Sequence, residues 1–313
     1  MAETVVLAVG GNSLILDNQH VSVQDQYSAA EKTAENMVEL IRAGHKIALV
    51  HGNGPQVGFI LRRGELAAHE LHQVPVDSCV ADTQGALGYN LVMALNNVLA
   101  RNGLNRPITT VVTQVEVSGE DPAFQNPTKP IGSFMTEETA LQRQKENGWD
   151  IKEDAGRGFR RVIPSPVPRK IIEIDVIRLL LQNGVIVIAA GGGGIPVKTN
   201  DDGTYTGIEA VIDKDLAAAL LADNIQADHF IISTAVEKVC LNFGTPDEKA
   251  LSRITVAEAE QYVREGHFAA GSMLPKIQAM IQFVKSTGKP GIITDPAHLA
   301  QAIKGEAGTH MVP

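Results

Sequence analysis

Residues 185–222, VIVIAAGGGGIPVKTNDDGTYTGIEAVIDKDLAAALLA, decide how the rest of the chain is read. The run 185–190 has the length and β-branched content of a buried strand, and it stops at Gly191, Gly192, Gly193 and Gly194. A polar, Gly-rich bend over 198–207 follows, and Asp213-Lys214-Asp215 then opens an Ala/Leu-rich run with the composition of a packed helix. Strand, glycine turn and charged helix start predict a phosphate site. Bare backbone N–H groups at the glycines and at a helix N-terminus favour anions, and Lys214 adds a positive charge in the same turn. An ordinary strand–loop–helix with a glycine-rich turn fits the same letters, so the rest of the chain decides between the two.

Working outward, other predicted strands also end in glycine turns: 4–9 closes on Gly10-Gly11-Asn12, and 46–50 on His51-Gly52-Asn53-Gly54-Pro55. Further strands are expected at 109–115, 228–234, 239–241 and 291–294. Helices are expected at 24–43, where Gly44 ends the pattern, after Pro55, and at 77–99, 171–181, 255–266, 273–286 and 297–303. Strands that are apolar throughout and alternate with helices predict an α/β fold, a mainly parallel central sheet covered by helices on both faces. Ligands in such sheets bind beyond the carboxyl ends of the strands, a rule that gathers the Gly10, Gly52 and Gly191 turns and Thr234-Ala235 at one edge. Residues 116–168 differ in texture. Prolines 122, 127, 130, 164, 166 and 168 and glycines 119, 132, 148, 156 and 158 interrupt any long element, which predicts a small inserted subdomain on an otherwise single domain spanning 1–313.

Composition narrows the function. A chain of 313 residues with 44% hydrophobic and 20% charged residues reads as globular, and no apolar run is long enough to span a bilayer. A net charge of −9 opposes nonspecific binding to nucleic acid, so local basic clusters are expected to serve small anions. Two cysteines, Cys79 and Cys240, supply neither a disulfide framework nor a zinc site, and the start MAETVVLAVGGN lacks a secretory pattern, which places the protein in the cytoplasm.

No GxxxxGK[ST], GxSxG, HExxH or protein-kinase signature occurs. His51 reads as a packing residue at a strand end, with a catalytic base as the alternative. The lysines carry more. Lys129 lies between prolines in NPTKPIG, Lys214 between Asp213 and Asp215, and Lys276 in the first turn of a helix that follows GSMLP. Three cations at the ligand edge are what phosphoryl transfer needs, since it relies on spread positive charge more than on a proton relay. Asp213 and Asp215 would orient the lysines or hold Mg²⁺, with Asp213 as a helix N-cap equally open. The basic stretch 152–161, with Arg157, Arg160 and Arg161, reads as a solvent or interface face.

Taken together, Gly10-Gly11-Asn12, HGNGPQVG from His51, NPTKPIGSF from Asn126, EDAGRGFRRVIPSP from Glu153, AGGGGIPV from Ala190, EAVIDKDLAAALLA from Glu209, TAVEKVCLNFG from Thr234 and GSMLPK from Gly271 resemble carbamate kinase, of the amino-acid kinase superfamily. The resemblance runs nearly end to end. It implies a three-layer αβα sandwich with a protruding subdomain that acts as a lid, a homodimer, and reversible phosphoryl transfer between ATP and carbamate, giving ADP and carbamoyl phosphate. It further implies Mg²⁺ carried with the nucleotide and no direct protein ligand to the metal, with net flux toward ATP in arginine, agmatine or ureide breakdown.

Carried over residue by residue, it assigns Gly10, Gly11, Asn12, Gly52, Asn53 and Gly54 to carbamate and the transferred phosphoryl group. It assigns Lys129, Lys214 and Lys276 to the phosphates, Asp213 to organising the lysines, and Gly191, Gly192, Gly193, Asp215, Ala235, Val236 and Met273 to the nucleotide. Many members of the wider superfamily carry a lysine two residues before the first Gly-Gly, where this chain has Ala8, with Lys129 as the substitute cation. That difference argues against an acetylglutamate-type kinase, the nearest enzymatic alternative. The intact lysine trio argues against a non-catalytic nucleotide-binding regulator.

Overall fold

A computed structural model describes residues 2–10, 22–153, 158–269 and 271–313. Its centre is an eight-stranded sheet in the spatial order Arg253–Thr255, Thr309–Val312, Gly291–Thr294, His229–Ser233, Thr4–Val9, Lys46–His51, Ile186–Ile188 and Ile108–Thr110. Neighbouring strands run parallel except for the Gly291–Thr294 and Thr309–Val312 pair. The reason for the apolar strand sequences is burial on both faces. On Thr4–Val9, Val5, Leu7 and Val9 join one core with helices Val23–Arg42, Val76–Arg101 and Leu299–Ile303. Val6 and Ala8 join the opposite core with helices Ile174–Gln182, Lys214–Asn224, Val256–Arg264 and Met273–Thr287. The three-layer αβα sandwich is therefore set by period-two alternation on strands whose two faces are both covered.

Local signals place the helix ends. Ser22 Oγ accepts from the Asp25 N–H at 3.2 Å while Asp25 Oδ2 accepts from the Ser22 N–H at 3.0 Å, a reciprocal cap that starts Val23–Arg42. The chain leaves that helix through Gly44 at φ +82°.

A second, four-stranded sheet departs from the sequence expectation. Its order is Tyr205–Gly207, Ile195–Thr199, Gln114–Val117 and Pro168–Ile171. The strand expected at 109–115 is two strands, Ile108–Thr110 in the main sheet and Gln114–Val117 here, because Thr113 between them is fully buried and bonded to residues outside both. The bend expected over 198–207 is an antiparallel hairpin closed by the bond from Asn200 N–H to Thr204 O at 2.8 Å. The helix expected from 171 begins at Ile174, since Pro168–Ile171 is drawn into a strand beside Gln114–Val117.

The ends of the 116–168 segment thus belong to this second sheet. Within the segment, Lys129–Met135, Phe159–Ile163 and Asp150–Glu153 form a separate three-stranded antiparallel sheet carrying helix Glu137–Asn147. Ile131 and Ile163 seat this unit on Val57, Val76, Cys79, Val80 and Val211. Its backbone comes so close to helix Gly54–Leu66 that a Cβ on Gly58 would lie 3.2 Å from the Gly132 α-carbon. That seat brings Lys129, the first residue of its strand, over the edge of the main sheet.

Candidate active site

The carboxyl ends of the central strands are in register. Val9 pairs with both His51 and Ser233, and Ser233 with Thr294, so Gly10, Gly52 and the loop after Ser233 leave the sheet at one edge. The lysines converge there. Asp213 caps helix Lys214–Asn224 with one oxygen, Oδ1, which accepts from Asp215 N–H at 2.9 Å and Leu216 N–H at 3.4 Å. Its other oxygen accepts from Lys129 Nζ at 2.9 Å, so the cap and the organiser of a lysine are one carboxylate.

Asp215 is 3% exposed and lies between two cations, Oδ1 at 2.7 Å from Lys214 Nζ and Oδ2 at 2.8 Å from Lys276 Nζ. Burial opposes its ionised form, yet Lys214 and Lys276 hold its pKa down at about 2. Burial pushes the Lys214 ammonium below the usual lysine range, Asp215 resisting and Lys276 adding to the fall. Both lysines stand in the first turn of a helix, the positive end of its dipole, where a cation is disfavoured without such a counter-charge. The 2.7 Å approach of Lys214 to Asp215 lacks hydrogen-bond geometry, so Lys214 Nζ and Asp215 Oδ1 are buried without a hydrogen-bond partner. A buried ammonium with unspent donors beside a glycine turn is matched to an anionic oxygen.

The glycine turn does two jobs, one of which corrects the sequence reading. Gly193 and Gly194 N–H are bonded within the turn, to Ala190 O at 3.0 Å and Gly191 O at 3.1 Å, so these amides do not stand bare for a ligand. The glycines are required chiefly by close packing. A Cβ on Gly191 would sit 2.3 Å from His51 Nε2, one on Gly192 2.2 Å from Asn53 Nδ2, and one on Gly193 2.3 Å from Ile212 O. The turn therefore touches the Gly52 loop on one side and the residue before Asp213 on the other.

Of the two readings of His51, the geometry favours packing. The ring is 1% exposed, its Nδ1–H donates to Gly52 O at 2.9 Å, and burial with the nearby Lys214 charge lowers its pKa to about 4 against the pull of that carbonyl. It is neutral at physiological pH and rests on Gly191.

Three residues at the site were not singled out in the sequence. Gln84 Nε2 donates to Gly191 O at 3.0 Å and Thr113 O at 3.1 Å, and Gln84 Oε1 accepts from Thr113 N–H at 2.7 Å. Thr113 Oγ1 accepts from Ala190 N–H at 2.9 Å, holding a non-glycine residue at φ +50°. Thr83, beside Gln84, accepts from Asn53 Nδ2 at 2.9 Å. A signal existed: Thr83 and Gln84 fall on the buried stripe of their helix between Val80 and Leu87, and a polar side chain on such a stripe needs partners.

Other expected residues are placed less centrally. Ala235 is exposed and Val236 half-buried in the loop after Ser233, and no hydrogen bond or ion pair among the described residues joins that loop to the lysines. Met273 opens the helix of Lys276 and packs on the core. Gly54 opens helix Gly54–Leu66, with Asn53 at its N-cap. Arg160 donates to Gly132 O and Arg161 pairs with Glu209 and lies over the Trp149 ring at 4.9 Å, so both build the subdomain and its seam. Gly11, Asn12 and Arg157 lie outside the described residues.

The sequence profile of the amino acid kinase family matches residues 3–295. A carbamate kinase-like protein of Escherichia coli K12, YahI, is 50% identical over 100% of this chain and 99% of its own. The carbamate kinase of Pyrococcus horikoshii is 45% identical over the whole of both chains. The structure of Giardia lamblia carbamate kinase bound to AMP-PNP superposes with a TM-score of 0.93 at 41% identity, covering 99% of this chain and 98% of that one.

Proposed function

The chain belongs to the carbamate kinases of the amino acid kinase family, and from that footing we propose how its site moves a phosphoryl group reversibly between ATP and carbamate. The observation that carries the reading is the cluster of Lys129, Lys214 and Lys276 on two carboxylates at the carboxyl edge of the sheet, beside two glycine turns. Three cations against two carboxylates leave net positive charge before any phosphate arrives.

Carbamate is already an anion, so its oxygen attacks the γ-phosphorus in line without a general base, and the reverse step has the ADP β-phosphate oxygen attack carbamoyl phosphate with carbamate leaving. His51, neutral and spent on packing, is not asked for a proton. Lys214 and Lys276 would share their charge with the phosphates. Lys129 is carried on the small subdomain and bonded to Asp213 at 2.9 Å, so opening of that unit would withdraw the cation, which gives it the role of a lid. Ala8 fits this division. It is buried against helix Lys214–Asn224, leaving no cation on the central strand, and Lys129 reaches the same edge from outside the sheet.

The nucleotide is taken as its Mg²⁺ complex. Asp213 and Asp215 are committed to lysines, so the phosphate oxygens would carry the metal to the site. A homodimer is supported by the uncovered edge of the main sheet. Tyr89 is 62% exposed and Leu179 60%, on the helices that cover either face of the sheet beside the edge strand Ile108–Thr110, with exposed Val112 just beyond that strand. No helix among the described residues is long and apolar enough to cross a membrane, and a cytoplasmic setting fits the chemistry.

The test is coupled ATP formation from ADP, Mg²⁺ and carbamoyl phosphate, run beside acetylglutamyl phosphate. Carbamoyl phosphate is expected to be used far faster. An equal or greater rate with the amino-acid acyl phosphate would overturn the substrate assignment.

A further inference from the structure

Asn53 stands at the N-cap of helix Gly54–Leu66, where an asparagine side chain ordinarily accepts from a backbone N–H of the first turn. Here it makes no such bond. Its amide turns the other way, and Nδ2 donates to Thr83 Oγ1 at 2.9 Å on helix Val76–Arg101. The Thr83 hydroxyl has one hydrogen, which it donates to Val80 O at 2.7 Å. Thr83 can therefore only accept from Asn53, and that fixes which end of the amide faces it. Both residues are buried, and Gly192 lies flat against the amide, its missing Cβ leaving 2.2 Å to Nδ2 and 2.9 Å to Oδ1. The next residue, Gln84, holds Gly191 O, so one helical turn fixes both the glycine turn and the amide beside it.

We propose that Thr83 is a positioning residue for substrate selectivity: by fixing the Asn53 amide with Nδ2 inward, it presents Oδ1 to the amino group of carbamate or carbamoyl phosphate. Asn53 Oδ1 accepts from none of the described residues. A carbamoyl group carries N–H donors where an acetyl group carries a methyl, so an acceptor held at that point favours the first over the second. A flipped amide would instead meet the amino group with its own N–H groups. A site built around a substrate hydrogen bond discriminates strongly against the analogue that lacks it. The inference rests on the carbamate reading of the site and names the group that recognises the substrate's nitrogen.

The experiment compares kcat/KM for ATP formation from carbamoyl phosphate and from acetyl phosphate in wild type, Thr83→Val and Thr83→Ser, with a thermal melt of each. Valine keeps the shape and removes the acceptor; serine keeps the acceptor. The carbamoyl-to-acetyl ratio should fall about tenfold in Thr83→Val, as expected when one orienting hydrogen bond is lost, and should stay within about twofold of wild type in Thr83→Ser. An unchanged ratio in Thr83→Val, or an equal fall in both variants, overturns the proposal. If Thr83→Val does not fold, Thr83→Ala carries the same comparison, and failure of both to fold assigns the hydroxyl to stability and also overturns it. Wild-type protein inactive with carbamoyl phosphate would instead sink the functional reading beneath the proposal, a result distinct from a retained ratio.

Discussion

Replacing Asp215 by asparagine removes the carboxylate that holds two buried lysines while keeping the shape. The magnitude follows from the structure. Two ammonium groups at 2.7 and 2.8 Å bring this buried carboxyl from an ordinary 3.8 to about 2 despite burial. At 1.36 kcal/mol per pH unit that preference for the ionised form is about 2–3 kcal/mol. Stranding a buried charge by removing one partner costs about 3–5 kcal/mol, so Asp215→Asn should lose roughly 2–4 kcal/mol at pH 7. Because the folded pKa is depressed, the contribution is fully present above 3.8 and disappears as pH falls through about 2. Urea unfolding at pH 7, 4 and near 2 should therefore show the gap between wild type and variant closing only at the acid end. Losing Asp215 also removes the partner that resists the burial-driven fall in the Lys214 pKa, so the alkaline limb of the variant's rate profile should move to lower pH. A gap below about 1 kcal/mol at pH 7, or one that does not change with pH, would refute the clamp.

Lys214→Ala should lower kcat by about 10²–10³, or roughly 3–4 kcal/mol, with Lys129→Ala also raising KM for carbamoyl phosphate; Lys214→Ala retaining more than about a third of wild-type kcat would remove the lysine from the transfer step. The exposed Lys32, paired among the described residues with Glu35, is the control, and Lys32→Ala should leave turnover intact. Gly193→Ala forces a side chain onto φ +96° and within 2.3 Å of Ile212 O, so its melt should fall well below wild type, and an unchanged Tm would show that the turn can open. Trp149, the only tryptophan, stands at the seam of the small subdomain, so its emission should shift when ADP and carbamoyl phosphate bind together; constant emission counts against closure. Tyr89→Lys with Leu179→Lys should turn a sedimenting dimer into a monomer, and a wild-type monomer at micromolar concentration would remove the dimer.

Six of the eight strands of the main sheet were legible because their signal is local and repeated, whereas the short Arg253–Thr255 and Thr309–Val312 were not. Strands such as VVLAV are apolar at every position, which only burial on both faces explains, and glycine turns punctuate their ends. The second sheet was not legible. Gln114–Val117 and Pro168–Ile171 are short, half-exposed, and paired across about fifty residues, and nothing within either segment announces the other. Pro168 could be read as the end of an irregular stretch, yet it sits at the first position of a strand, where a missing N–H costs no ladder bond.

At the site, the lysines and aspartates could be read from the sequence because charge beside Pro or Gly at a helix start is unusual enough to notice. What the sequence could not supply was pairing. Lys129 meets Asp213 across 84 positions and Lys276 meets Asp215 across 61, and only the fold decides that Asp213 divides its oxygens between a helix cap and a lysine. The glycines of 191–194 were visible but only part of their reason was, since glycine for a bare amide and glycine for close approach look alike as letters, and Gly193 and Gly194 spend their N–H groups within the turn. A Cβ tells them apart: at Gly191 and Gly192 it would strike His51 and Asn53, so the turn is small there to let the two loops touch. Beside that contact Asn53 is held by Thr83 and the turn by Gln84, so helix Val76–Arg101 ties both loops together.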